Sequence, residues 1–225
     1  MQADFSSKLK NVLSNERLSA YQQRLTQGGN RNLFSHYAWN MALSESLYPS
    51  LQLLEIGLRN TINHHACQHF GKADWFDDAN IIRARDKVAI DKAKTTLRRK
   101  KKSPDPGRII AELNFGFWTS LLDTRYEQIL WPRLIKVCFP GMPKNIRTRK
   151  KLSQRFNRIR NLRNRVFHHE PIWYWQDLEQ QHEDILDAIG WIEPMMRELA
   201  CSTDRFPDIC QQGLCEIEQK LKQFC

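Results

Sequence analysis

Apolar residues recur every three or four positions along most of the chain, a period that only α-helices can bury on one side. At about 100° per residue, Leu51, Leu54, Leu58, Ile62 and Ala66 share one face of a helix, and Leu152, Phe156, Ile159 and Val166 share a face of another. Glycine and proline number only nine each in 225 residues, too few for the turns of an all-β chain. The expected class is therefore all-α. Seven tryptophans and eleven phenylalanines supply large surfaces for its core.

Helix boundaries follow from caps and breakers. A first helix is expected from Asn15 to Gln27, stopped by Gly28 and Gly29, and a second from Asn30 to about Leu47, ending before Pro49. A long helix over Leu51–Phe70 should close with Gly71 just past its end. Trp75 and Phe76 are read as loop, followed by a helix over Ala79–Lys101 with a basic end. The segment SPDPG (103–107) breaks the chain. Shorter helices are expected over Arg108–Leu113, Phe117–Thr124 and Gln128–Val137. After FPGMPK (139–144), a strong helix starts near Thr148, and Pro171 ends it near His169. The rest is helical from Trp175 to Leu199 with a kink at Pro194, and again after Pro207. Nothing reads as a flexible linker, so one helical domain is expected over 1–225, with a core at about 30–200 and a C-terminal helical appendage at about 201–225.

No run approaches the roughly 18 apolar residues of a membrane span, and MQADFSSKLKNVL at the N-terminus has no apolar signal region. A cytoplasmic protein without a membrane partner is expected. The six cysteines (67, 138, 201, 210, 215 and 225) form no C-x-x-C pair and read as reduced thiols. Cys210 and Cys215, five apart, are poorly spaced for zinc, and His65 and His69 lack a third ligand, so no metal and no cofactor are expected.

The net charge of +10 conceals an asymmetry. Residues 170–225 carry four basic and twelve acidic side chains, a net of −8, which leaves about +18 on residues 1–169. Between Lys144 and Arg165 there are ten Lys or Arg and no acid. A polyanion such as nucleic acid suits that surface, and its affinity should fall steeply with salt; a solvated surface with no partner is the plain alternative.

Position says more than charge. Arg163 falls in the middle of the Leu152–Val166 stripe, and Glu55 and Arg59 fall among the apolar positions of 51–66. Buried charge is costly unless paired, so these groups belong either to an internal salt-bridge network or to a polar cleft or symmetric interface. The surrounding residues, RIRNLRNRVFHHEPI (158–172), favour the second reading. Asn164 and His168 are four apart, so the amide can orient the imidazole. Arg163 and His168 are about 140° apart on an ideal helix and converge only if the helix frays at His168. Chemically the set suffices to cut RNA. His168 can take the proton of a 2′-hydroxyl or give one to the leaving 5′-oxygen, while Arg163 holds the phosphate; no metal is needed, and a 2′,3′-cyclic phosphate results.

The pattern R-N-x-x-x-H at the end of a late helix resembles the motif of HEPN ribonucleases. LLEIGLRNTI (53–62), FGKADWF (70–76), LNFGFWTSLL (113–122) and LRNRVFHHEPIW (162–173) resemble the Abi-like (abortive infection) family within that superfamily. The resemblance implies a HEPN-like helical bundle with additional N- and C-terminal helices. It also implies a homodimer that joins two motifs in one RNA-binding cleft, and a toxin or phage-defence role with an antitoxin or other regulatory partner. Transfer RNA is among the candidate substrates. Carried over, Arg163 binds phosphate, Asn164 is the polar residue beside it, and His168 is catalytic. Glu55, Arg59 and Asn60 on the earlier helix, and Arg160, Arg165 and His169 beside the motif, are expected to support it or contact RNA. Phe167 departs from the smaller residue expected before the histidine.

Arg59–His64 repeats R-N-x-x-x-H, but mid-helix and without the following His-Glu-Pro, so it reads as support. Trp173 and Trp175 read first as core and second as base-stacking platforms. The competing functions are a non-catalytic RNA- or nucleotide-binding module of the same fold, and a helical protein-interaction scaffold. No helix-turn-helix stands out for a DNA regulator.

Overall fold

The computed structural model describes residues 2–25 and 30–222, and all regular structure among them is helical. The helices are α1 (Gln2–Leu13), α2 (Asn15–Gln22), α3 (Asn30–Phe70), α4 (Ala84–Arg99), α5 (Pro106–Glu112), α6 (Phe115–Ser120), α7 (Trp131–Cys138), α8 (Arg149–Phe167), α9 (Leu178–Ile192), α10 (Pro194–Ser202) and α11 (Phe206–Lys222). Single 3-10 turns cover Trp75–Asp77 and Thr124–Tyr126. No helix among the described residues is long and apolar enough to cross a membrane.

Several helix starts are written locally. The side chains of Ser14, Asp105 and Asn114 each accept a hydrogen bond from the backbone N–H three residues on, at 3.3, 3.0 and 3.0 Å. Pro106 stands at the first turn of α5, where its missing N–H costs nothing. Gly71 ends α3 at φ 69°, as its spacing predicts.

Other boundaries differ from expectation. A helix over Gln2–Leu13 precedes the first one expected, which ends at Gln22; Gln27, Gly28 and Gly29 lie outside the described residues. Pro49 does not divide α3, which runs unbroken for 41 residues. A helical proline forfeits one backbone hydrogen bond and costs about 3 kcal/mol. Burial of Leu43, Leu47, Leu51 and Leu54 on either side outweighs that. Pro194, expected to kink a helix, instead begins α10, with the Glu193 carboxylate accepting from the N–H of Met195 at 3.1 Å. Gly213, at φ 61°, interrupts α11.

The chain forms two compact units. Of the described residues, the first holds those up to Ser50, Leu162–Glu183 and those from Thr203 on; the second holds Leu51–Asn161 and Asp184–Ser202. In the first, Leu18, Tyr21, Leu33 and Phe34 are buried together, with Leu13, Tyr37 and Trp173 packed against them. In the second, Trp75, Trp118 and Trp131 are buried, and each indole N–H is satisfied: by Asn63 Oδ1 at 3.0 Å, by the Leu113 carbonyl at 3.3 Å and by the Leu121 carbonyl at 2.7 Å. Trp75 and Phe76, expected in a loop, are thus core residues of a 3-10 turn. Gly141 lies against the backbone of Gly190, where an added Cβ would stand 2.2 Å from the Gly190 carbonyl oxygen.

Candidate active site

The end of α8 is a C-terminal turn of Schellman type. The Glu170 N–H bonds the Arg165 carbonyl at 2.8 Å, and the His169 N–H bonds that of Val166 at 3.1 Å. His169 takes the left-handed conformation at φ 57°, which histidine tolerates better than most side chains. Pro171 keeps the helix from resuming, because Glu170, the residue before it, is steered out of the helical region. His168 itself keeps a helical bond to the Asn164 carbonyl at 2.9 Å. The helix therefore does not fray at His168, and within one chain it does not unwind to bring His168 round to Arg163.

Two distant side chains hold this turn. Arg17 of α2 donates to the carbonyls of His168 and His169, at 3.2 and 2.7 Å. Asn40 of α3, only 3% exposed, accepts from the N–H groups of Ile172 and Trp173 at 2.7 and 3.3 Å and donates to the Glu170 carbonyl at 3.4 Å. Neither was singled out from the sequence. A signal existed for Asn40, an amide spaced helically among Leu33, Leu43 and Leu47, all buried. No local signal marked Arg17.

Arg163 is half-buried, in keeping with its place on the stripe, and its guanidinium lies 4.1 Å from the centre of the Phe167 ring. Tyr48 stacks on the same ring, centroids 5.3 Å apart. The phenylalanine that departs from the motif is thus the plate on which the motif's arginine rests. The side chains of Asn164, His168 and His169 are exposed. Among the described residues, the Asn164 amide makes no hydrogen bond to the His168 ring, so the expected orienting contact is not made; the bond between them is a backbone one. Arg165 pairs with Glu170 at 3.0 Å and lies over Trp175 at 5.3 Å. Trp173 packs on His36, centroids 4.3 Å apart.

The other expected residues belong to the second unit. Glu55 and Arg59 are half-buried and Asn60 is exposed, with Arg59 Nε donating to Asn60 Oδ1 at 3.1 Å. His64, the last residue of the repeated motif, is exposed beside His65. Arg160 donates to Thr119 Oγ1 at 3.3 Å and lines a small polar pocket with Arg85, Arg125 and the buried Asp86. Ser120 and Tyr126 donate to Asp86 at 2.9 and 2.8 Å.

Much of the basic run is internally neutralised. Asp184, 3% exposed, takes both Arg155 and Arg158 at 3.0 Å, and Arg149 pairs with Glu127 at 3.3 Å. Lys144, Lys150 and Lys151 remain exposed. Acidic residues after 170 account for part of this pairing, which local sequence could not disclose. No group of three or more metal-ligating side chains occurs among the described residues. No protein-family model matches the chain, and no curated protein or solved structure is significantly similar to it.

Proposed function

We propose that this protein is an endoribonuclease of the HEPN type, allied to the Abi-like family, that cuts RNA without a metal through Arg163, Asn164 and His168. The observation that carries the reading is a firmly held turn that presents His168 to solvent, five residues along the helix from a half-buried arginine seated on Phe167. An exposed histidine on an anchored backbone is suited to proton transfer. An arginine whose aromatic support fixes its direction is suited to a phosphodiester.

The chemistry is 2′-hydroxyl attack on the adjacent phosphorus. His168 takes the 2′ proton or protonates the departing 5′-oxygen, and Arg163 stabilises the charge that gathers on the non-bridging oxygens. The products are a 2′,3′-cyclic phosphate and a 5′-hydroxyl. Because Arg163 and His168 face different ways on one ordered helix, the complete set is assembled from two copies, each giving its arginine to the other's histidine. Such a homodimer would act in the cytoplasm on cellular RNA, transfer RNA included, as a toxin or phage-defence factor restrained by an antitoxin or other regulatory partner.

The test is cleavage of total and transfer RNA by the purified protein in EDTA, beside His168→Ala and Arg163→Ala proteins of matched dimer content. Cutting by the wild type alone, leaving cyclic phosphate ends, is expected. Intact RNA in every lane, with a folded dimeric wild type, would overturn the catalytic reading. Salt-sensitive RNA binding in that case would leave a non-catalytic binding module.

A further inference from the structure

The second unit holds a polar pocket of about 260 Å³, open to solvent, to which three separate elements each bring an arginine. Arg85 comes from the start of α4, Arg125 from the 3-10 turn over Thr124–Tyr126, and Arg160 from α8. A guanidinium is a donor only, so each needs an acceptor or water. Arg125 is held by acids: it pairs with Asp123, and its Nε lies 3.6 Å from Asp86. Arg160 is half-buried and steadied by Oγ1 of the buried Thr119 at 3.3 Å. Arg85 is exposed. Among the described residues, neither Arg85 nor Arg160 has a carboxylate within ion-pair distance.

Two carboxylates line the pocket, Asp86 and Asp123, against three guanidiniums, which leaves one positive charge in excess. The oxygens of Asp86 are already taken, Oδ1 by Ser120 at 2.9 Å and Oδ2 by Tyr126 at 2.8 Å. Like charges gathered around so small a volume repel, and an anion between them would offset that cost. We infer that this pocket binds the terminal phosphate of a phosphomonoester. A carboxylate has two oxygens in one plane, and one guanidinium fork fills it. A phosphodiester likewise has two unbridged oxygens. A phosphomonoester has three, spread so that arginines arriving from three elements can each donate to one, and its charge approaches −2 at neutral pH. The 5′ end of an RNA and a free nucleotide share this chemistry. The inference does not depend on cleavage at His168, since every lining residue belongs to the second unit.

The test uses the whole chain carrying His168→Ala, so that RNA stays intact. Adenosine 5′-monophosphate and adenosine are compared by titration calorimetry. A short single-stranded RNA with a 3′ dye is compared with and without its 5′-phosphate by anisotropy. In at least one pair the phosphate should tighten binding by about tenfold or more, and Arg85→Gln and Arg160→Gln should each abolish that preference. Lys102→Gln, an equal change of charge at an exposed residue outside the lining, should keep it. A preference in the RNA pair assigns the site to RNA ends, and one in the nucleotide pair alone assigns it to free nucleotides. If the nucleotide shows it while RNA does not bind at all, the site stands and the RNA reading falls. No preference in either pair would overturn the site, as would one that a folded arginine variant retains in full or that Lys102→Gln also abolishes. Should Arg160→Gln fail to fold, Arg85→Gln decides alone, because its side chain is exposed and unpaired among the described residues. RNA that binds equally with or without its phosphate would leave the ribonuclease reading intact.

Discussion

Arg17 donates to the main-chain carbonyl of His169 at 2.7 Å, so a residue of the second helix fixes the backbone just past the R-N-x-x-x-H motif. The bond is charge-assisted, and a second to His168 at 3.2 Å accompanies it. Arg17→Met keeps the aliphatic stem and removes both bonds. At this exposed position the loss should be about 1 kcal/mol in urea denaturation, with RNA cleavage reduced more in kcat than in KM. Unchanged kcat would show that the turn holds its shape without the arginine.

Asn40 should matter more to stability. Asn40→Ala strands the N–H groups of Ile172 and Trp173 and the carbonyl of Glu170 in a buried place. A loss of about 3 kcal/mol is expected from the denaturation midpoint. A cost well below about 1 kcal/mol would mean that water replaces the amide.

Asp184→Ala removes the carboxylate shared by Arg155 and Arg158. Both arginines are partly exposed and can rehydrate, which places the loss nearer about 2 kcal/mol than the larger cost of stranding a fully buried charge. The same substitution takes one carboxylate from the cations of α8, although Arg155 keeps Asp187 at 3.4 Å, so the slope of log affinity for RNA against log salt should steepen modestly. A slope identical to the wild type would mean that these arginines do not reach RNA.

Gly141→Ala forces a methyl group into the backbone of Gly190. The two strands of chain must separate, with a destabilisation of about 2 kcal/mol or more read by thermal melting. A melting temperature equal to the wild type would place the contact outside the cooperative unit.

His182 is 2% exposed, stacked on Phe206 and 2.9 Å from Asp204. Burial lowers its pKa below the ordinary 6.5, and attraction to Asp204 and Glu183 offsets only part of that. The native state thus binds this proton less readily than the unfolded chain does. Its contribution is whole above the unfolded pKa and is lost as pH falls, by up to about 1.4 kcal/mol per pH unit. Stability measured from about pH 7.5 to about pH 5.5 should decline, and His182→Gln should flatten that decline. An equal slope in the variant would assign the pH dependence to other groups.

The helices were largely legible because their causes are local. Apolar spacing placed α3 and α8 and the buried faces of both, and Pro171 set where α8 stops. Gly71 likewise carried its own reason in the chain. The half-burial of Arg163 followed from its neighbours on the stripe. Pro49 misled, since its penalty is local while the burial that overrides it is not.

Sequence by itself determined the all-helical class, most helix positions, the apolar faces of α3 and α8 and the presence of an arginine, an asparagine and a histidine near one helix end, since each depends on neighbours within a turn or two. Tertiary structure alone decided what surrounds them. It brought Arg17 to His168 across 151 positions and Asn40 to Ile172 across 132. It paired the basic residues of α8 with carboxylates that follow, and it gathered Arg85, Arg125 and Arg160 around one pocket. Hydrogen bonds, ion pairs and cavities of that kind depend on distance in space, and no periodicity along the chain encodes which remote side chain closes them.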